Sequence, residues 1–221
     1  MQEFLLFVKS IYNWSFRKVV FTFIFTYLEK DYVGELLDLD KKVYNSEYQV
    51  KEETTLNRLD INPLTDLTVV NNNDLVGYLT VCPIDDDTYN GIIDHSVTEE
   101  EIEKSTLPYG KMGFYNLYLS SIVIDKERFP YYSGKYLFSF LEKHLRRLKK
   151  QGFIVDKIVA FAVSVAGRKT LMRFGFKEIQ NNVFEFSCIR QGIHFIKKSI
   201  KLPKVIIAIN EQMLLFRRGF V

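Results

Sequence analysis

The sequence predicts an α/β protein, in which helices pack on a central sheet that contains at least some parallel strand pairing. In the second half of the chain, apolar runs of strand length alternate with helical periodicity, and this order requires crossover connections. In the first half, two β-rich runs are joined by residues 71–74, three asparagines and an aspartate that favour a tight hairpin turn. The length of 221 residues favours one domain over two.

Composition excludes several classes of protein. The net charge is +3, from 30 Lys and Arg against 27 Asp and Glu, which is too small for a strongly basic nucleic-acid binder. Two cysteines, Cys82 and Cys188, are too few for a disulfide framework or a cysteine-only zinc site, so we expect a reducing, cytoplasmic compartment. Aromatic residues make up 15% of the chain, which is typical of a strand-rich core or an apolar ligand groove.

The first third of the chain mixes helices and strands. Apolar residues at helical spacing predict a short amphipathic helix over residues 2–14. The apolar run 19–28 is too short to cross a bilayer and lacks a small-residue cleavage site, so we interpret it as a buried strand without membrane insertion. Helical segments are predicted within residues 29–49 and 51–60, and the hairpin follows over residues 67–81.

The second half is more regular. The pattern predicts, in order, a strand over 114–124, a helix from Gly134 that ends at Gly152, a strand over 157–163, a helix over 166–174, and two short strands within 176–187. These elements supply the crossover that predicts parallel pairing.

Residues 84–111 form an acidic insert. Residues 85–103 contain eight Asp and Glu and no Lys or Arg, and either Ser96 or Thr98 is placed to cap a short helix over 99–104. Two interpretations stay open, a surface that attracts a cationic amine and a solvated acidic loop. The aspartates at 85–87 lack the Gly and the distal Glu of a calcium loop, so no metal site is predicted.

Residues 189–221 form a basic C-terminal extension. Seven Lys and Arg against Glu211 alone give it a charge of +6. We expect one domain over residues 1–188 with this extension packed on it, in preference to a nucleic-acid or acidic-partner surface.

Residues 117–187 carry a resemblance to a known family. Strand 117–124, turn 125–133, the helix from Gly134, strand 157–163 and the helix that ends in Phe174-Gly175-Phe176 follow one another as in the GNAT superfamily of N-acetyltransferases. With the upstream elements, the resemblance covers roughly residues 19–187. It implies a GNAT-like mixed, mostly antiparallel central sheet flanked by helices, with acetyl-coenzyme A as co-substrate.

The resemblance also implies where the cofactor binds. Orphan amides and the helix dipole at the start of the helix favour the pyrophosphate. The family's turn, Gln/Arg-x-x-Gly-x-Gly/Ala, falls on Phe129, Tyr132 and Gly134, so the last glycine is kept, and Pro130 removes one N–H donor. The implied cofactor-binding residues are Ile122, Val123, Ile124, Phe129, Tyr131, Tyr132, Ser133, Gly134, Lys135 and Ser164.

Acetyl transfer requires an uncharged amine, a base and stabilisation of the thioester oxyanion. Backbone N–H groups near residues 121–123 are candidates for that stabilisation. For the catalytic groups, the long strand offers Tyr118 and Ser120 and the insert offers His95, with a water relay as the alternative. Leu171 stands where many family members have a tyrosine that protonates the departing thiolate, so another group or water must do so.

The sequence therefore predicts an acetyl-coenzyme A-dependent N-acetyltransferase that acts on a primary amine of a small molecule or a peptide. Two rivals stay open. One is a transferase for a longer acyl chain, with the aromatic turn 129–132 as an apolar wall. The other is a non-catalytic binding module, for which the basic extension makes a partner or homodimer surface.

Overall fold

The computed structural model describes residues 23–130, 132–193 and 195, and these residues form one mixed sheet flanked by helices. The strands are β1 (Phe23–Tyr27), β2 (Asp66–Asn71), β3 (Asp74–Ile84), β4 (Gly113–Ile124), β5 (Phe153–Phe161), β6 (Lys177–Gln180) and β7 (Val183–Ser187). The helices are α1 (Val33–Val43), α2 (Glu52–Ile61), α3 (Asp86–Asp94), α4 (Glu99–Lys104), α5 (Gly134–Lys150), α6 (Val165–Arg173) and α7 (Cys188–Gln191). Three predicted segments lie outside the described residues: the helix over 2–14, the first residues (19–22) of the strand predicted over 19–28, and the basic extension from 196.

The strand order in the described sheet is β1-β2-β3-β4-β5-β7-β6. Neighbouring strands run antiparallel, except that β4 and β5 are parallel because α5 crosses from the end of one to the start of the other. The structure therefore confirms the predicted mixed, mostly antiparallel sheet flanked by helices. Its one described parallel pair lies at the centre.

The β2–β3 hairpin forms where the polar turn predicts it. Asn72 and Asn73 connect the strands with φ values of 50° and 69°, in the left-handed region that asparagine tolerates better than most residues. The two β-rich runs and the polar turn between them therefore sufficed to locate this hairpin.

Both faces of the sheet are covered. On one face, the apolar stripe of α5 packs against the sheet through Leu137, Phe138, Leu141, Leu145 and Leu148. In β3, Val76 and Leu79 join this cluster, whereas their neighbours Leu75 and Tyr78 pack against α1. Because adjacent strand residues point to opposite faces, α1 and α5 lie on opposite sides of the sheet.

The acidic insert folds into two short helices. At α4 the Thr98 hydroxyl accepts from the Glu101 N–H at 3.3 Å, and the Glu101 carboxylate accepts from the Thr98 N–H at 2.7 Å. Helix α3 was not predicted from the sequence, and Asp85 caps it by accepting from the Thr88 N–H at 2.7 Å. Both helices bury apolar residues against the sheet, so the insert is packed structure and not a solvated loop.

The described start of the basic extension packs on the core. Phe195 is 4% exposed, and its ring centroid lies 4.5 Å from that of Phe186. Cys82 and Cys188 are buried free thiols. In the described part of the chain, no helix is both long enough and apolar enough to cross a membrane.

Candidate functional site

The two central strands separate near their ends. The pairing of β4 with β5 ends at Tyr118↔Val159. Beyond that point β4 remains paired with β3, as far as Ile124. From Leu119 onward, the edge of β4 that faces β5 therefore borders an open cleft. A free strand edge presents N–H and C=O groups to which an extended ligand can bind.

A β-bulge at Ser120 accompanies the separation. Thr80 pairs with Ser121 and Val81 pairs with Leu119, so β4 holds one extra residue between them. Before the bulge the odd-numbered residues of β4 join the cluster under α5, and after it the even-numbered residues do. The bulge thus changes which side chains of β4 face α5 and which face α1.

The β4–β5 cleft encloses about 760 Å³, within the usual range for ligand and cofactor sites. Its walls are the end of β4, the first turn of α5, the end of β5, one side of α6 and the turn after α1.

The N-terminus of α5 opens into this cleft. Ser133 caps the helix by accepting from the Lys135 N–H at 3.4 Å, and Gly134 is the first helical residue. The first turn contains no acidic residue, so the positive end of a 17-residue helix is uncompensated there. Lys42, Lys126 and Arg173 line the same cleft, together with Asp125 and Glu127. Asp125 is already paired, with Lys42 at 3.6 Å and with Arg128 at 2.6 Å. Free amides, the helix dipole and the excess of cations together suit a phosphate or diphosphate group.

Most of the predicted cofactor residues meet at this cleft. Six of them line it: Ile122, Val123, Ile124, Ser133, Gly134 and Ser164. Ser164 also caps α6, because its hydroxyl accepts from the Gly167 N–H at 3.0 Å. Lys135 is exposed in the first turn of α5 and is not part of the described lining, and Tyr131 lies outside the described residues.

Phe129 and Tyr132 are placed differently from the expectation. Their rings pack against Phe23, at centroid distances of 6.5 and 5.0 Å, within the core under α5. Their N–H groups bond within the turn, to the carbonyls of Asp125 and Phe129 respectively. Neither residue therefore contributes its side chain or its N–H to the cleft, and their rings form no apolar wall for a longer acyl chain.

A second, smaller cavity adjoins the cleft and is called here the acidic pocket. It encloses about 190 Å³ and shares six lining residues with the cleft: Tyr44, Tyr48, Ser120, Ser121, Phe161 and Val163. Its described lining carries four carboxylates and one ammonium group: Glu47, Glu99, Glu100, Glu103 and Lys51. The pocket therefore suits a cationic ligand that reaches the cleft at the bulge.

Two carboxylates of α4 are held in place at this pocket. Glu99 and Glu103 are four residues apart, on one side of the helix. The Tyr118 hydroxyl donates to the Glu99 carboxylate at 2.7 Å. The side chain of Glu103 is 11% exposed, and its carboxylate lies 3.6 Å from the guanidinium of Arg58.

Arg58 is the buried cation beside Glu103. Its side chain is 1% exposed and donates to both carboxylate oxygens of Asp66, at 3.2 and 3.0 Å. Asp66 also accepts from the hydroxyls of Thr65 and Thr80, at 2.8 and 2.6 Å. These bonds fix Arg58, whose guanidinium lies near Glu103 as a charge without a hydrogen bond to it.

The two α4 carboxylates have raised proton affinity. Burial raises the pKa of the Glu103 carboxyl to about 7, against the lowering effect of Arg58 and with a further increase from Glu99. Burial also raises the pKa of Glu99, and the hydrogen bond from Tyr118 limits that rise. A carboxylate that titrates near neutral pH is suited to accept a proton from an amine.

The predicted catalytic residues are not all brought together. Ser120 lines both cavities, and Tyr118 lines the acidic pocket with its hydroxyl on Glu99. His95 ends α3 with φ 60° and packs its ring edge-on against Phe161, 5.9 Å between centroids. It is exposed and lies outside the described lining of both cavities.

Sequence reasoning missed the carboxylates as site residues. It placed Glu99 and Glu103 in the acidic insert but named Tyr118, Ser120, His95 and a water relay as the candidates for the base. The spacing of four within a capped helix, with Ile102 as the buried residue between them, is a pattern that the sequence contains. Tyr44 and Tyr48 had no such pattern, because only the fold brings the turn after α1 to the bulge.

Known structures share this architecture, although no family model and no curated protein sequence matches the chain. The loading GNATL domain of CurA from Lyngbya majuscula is 13% identical with a TM-score of 0.59, and the alignment covers 76% of this chain and 99% of that one. NAA60 from Arabidopsis thaliana, in complex with acetyl-CoA, is 10% identical with a TM-score of 0.52, covering 75% and 99%. The GphF GNAT-like decarboxylase, in complex with isobutyryl-CoA, is 14% identical with a TM-score of 0.50, covering 66% and 70%.

The chain therefore has the GNAT fold, which confirms the resemblance that its sequence elements predicted. At identities of 10 to 14% these similarities establish the fold, and the chemistry rests on the residues of the two cavities.

Proposed function

We propose that this chain transfers an acyl group, acetyl above all, from coenzyme A to a primary amine that carries a second positive charge. The observation that carries the proposal is the meeting of the β4–β5 cleft and the acidic pocket at the bulge. The cleft offers a diphosphate site and a free strand edge, and the pocket offers carboxylates for an amine.

In this proposal the diphosphate of the cofactor binds the N-terminal turn of α5 at Ser133 and Gly134. The pantetheine arm extends along the free edge of β4, and backbone amides of that edge hydrogen-bond its carbonyl groups. The thioester then lies near Ser120 and Ser121, where the two cavities join.

The amine enters through the acidic pocket. Its carboxylates raise the local concentration of a cation and orient its reacting nitrogen toward the bulge. Glu103, directly or through one water molecule, takes the proton that the ammonium group must lose before it attacks.

The nitrogen attacks the thioester carbon by direct transfer, without an acyl-enzyme intermediate. The described cysteines support this route, because Cys82 and Cys188 are buried and burial raises the pKa of each thiol to about 12. Neither lines the cleft or the acidic pocket. Backbone N–H groups of β4 beside the thioester stabilise the oxyanion.

A matched pair of amines tests the proposal. Release of free thiol from acetyl-coenzyme A is measured with 1,4-diaminobutane and with 4-aminobutanoate, which has the same number of carbons and a carboxylate in place of the second aminomethyl group. We expect kcat/KM to be at least about tenfold higher for the diamine, since four carboxylates and one ammonium line the pocket. Cofactor binding without thiol release for any amine in a wider panel contradicts the proposal and favours a non-catalytic binding module.

A further inference from the structure

Two tyrosines, Tyr44 and Tyr48, lie where the cleft and the acidic pocket meet, and neither has a role in the steps above. Tyr48 is 41% exposed, whereas Tyr44 is half-buried and is the better placed of the two to exclude water. Tyr44 directly follows α1 and lines both cavities. The Ile122 N–H and the Ser121 hydroxyl, on the free edge of β4, are close enough to the Tyr44 hydroxyl to lower its pKa. The phenol is therefore directed at the strand segment beside which the thioester is proposed to lie.

The leaving group of the reaction needs a proton donor there. A coenzyme A thiolate is a better leaving group when it is protonated as the carbon–sulfur bond breaks. On α6, Leu171 has no proton to give and is buried in the core, and the Thr170 hydroxyl donates to the Ala166 carbonyl at 2.9 Å. The Tyr118 hydroxyl donates to Glu99. Leu171 therefore cannot donate a proton to the thiolate, and the hydroxyls of Thr170 and Tyr118 already donate to other oxygen atoms.

We propose that Tyr44 is the general acid of the acyl transfer, an inference that rests on the proposed function. The amine nitrogen forms its bond to the thioester carbon, the electron pair of the carbon–sulfur bond passes to sulfur, and sulfur takes the phenolic proton of Tyr44. The tyrosinate then regains a proton that the nitrogen released to the α4 carboxylates. In sum, one proton moves from the amine to the coenzyme A thiol, and the protein is unchanged.

The surroundings of Tyr44 keep it protonated. Burial raises the pKa of its hydroxyl, the Ile122 N–H and the Ser121 hydroxyl lower it, and the charges of Asp40 and Glu99 raise it further. The net result is a pKa above the usual value of 10, so the acid form persists at neutral and mildly alkaline pH. Loss of that proton sets the alkaline limit of the reaction.

Tyr44→Phe tests the inference, because it removes the proton and keeps the ring. We expect kcat to fall about 100-fold, the alkaline decline of kcat to disappear, and the calorimetric Kd for acetyl-coenzyme A to stay within about twofold. Tyr32→Phe is the matched control, since Tyr32 packs beside α1 away from both cavities, and it should keep wild-type rates. Thermal unfolding of both variants checks the fold.

A second variant keeps the inference testable if Tyr44→Phe fails to fold. Fluorotyrosine at position 44 has a more acidic phenol, so the alkaline decline should move to lower pH. An unchanged rate and pH profile in either variant overturns the role of Tyr44, and so does a weaker Kd with unchanged kcat. Absence of thiol release by the wild-type chain overturns the proposed function instead, so the two failures are distinguishable.

Discussion

Glu103→Gln is expected to lower kcat/KM for the amine about 100- to 1,000-fold at pH 8, the usual contribution of a positioned general base. Glutamine keeps the size of the side chain and cannot take the amine proton. The burial that raises the pKa of Glu103 to about 7 is what places its base form within the working pH range.

The pH dependence of kcat/KM tests whether Glu103 acts as the base. In the wild-type chain, kcat/KM should rise as pH increases through about 7, because the unprotonated carboxylate is the active form. Glu103→Gln should lose that rise and keep only the increase that reflects deprotonation of the amine itself. Initial rates of thiol release between pH 5.5 and about 9 measure both limbs.

The free energy of unfolding of Glu103→Gln shows whether a loss of activity comes from lost catalysis or from a damaged fold. The folded-state pKa of Glu103 lies above its ordinary value of 4.5, so the folded chain binds more protons between those two pH values. The contribution of Glu103 to the free energy of unfolding is therefore largest below pH 4.5 and is lost as pH rises through 7. Glu103→Gln should accordingly be no less stable than wild type at pH 8.

The matched control is Glu53→Gln, which removes an exposed carboxylate of α2 outside the described lining of both cavities. We expect wild-type rates and an unchanged pH profile from this control. A Glu103→Gln variant that keeps its activity and its rise near pH 7 contradicts the assignment of the base.

Gly134→Asp is expected to weaken acetyl-coenzyme A binding about 10- to 100-fold, equivalent to about 1.4–2.8 kcal/mol. A carboxylate at the first position of α5 occupies the positive end of the helix and repels the diphosphate. The same charge is favourable to the helix itself, so the variant should unfold at the wild-type temperature or slightly above it.

Charge and bulk are separated by a neutral variant of the same shape. Gly134→Asn should retain most of the affinity, because a Cβ at Gly134 meets Ile124 Cδ1 at an ordinary 3.9 Å. Titration calorimetry of both variants measures the difference. Equal losses for Asp and Asn show that bulk alone is responsible, and an unchanged Kd for Asp shows that the diphosphate binds elsewhere.

Local chemistry explains which parts of the fold could be predicted. The hairpin turn at 71–74 and the glycines that end helices act within a few residues, so the sequence displays them directly. The cap of α4 was narrowed to Ser96 or Thr98, and the structure shows Thr98. Helix α3 was missed because its charges obscure a short apolar stripe that includes Tyr89 and Ile92. The bulge at Ser120 depends on pairing with β3, which no local pattern of β4 reveals.

The candidate site shows the same division. The proposed cofactor side lies on consecutive elements, and residues 122–124, Ser133 and Gly134, which the resemblance implied, line the cleft. The proposed amine side assembles from the turn after α1, from α4 and from β4, which are far apart in the chain. Phe129 and Tyr132 lie in the core because their turn closes on its own N–H groups and leaves their rings to pack on β1.

A crystal structure of the chain with coenzyme A and 1,4-diaminobutane tests the central claim most directly. We predict the diphosphate at the N–H groups of Ser133 and Gly134, the pantetheine along the free edge of β4, and one amine nitrogen within about 3.5 Å of the reacting position beside the bulge. The second amine should lie among the carboxylates of the acidic pocket. A cofactor bound away from the β4–β5 cleft, or a diamine bound outside the acidic pocket, contradicts the account.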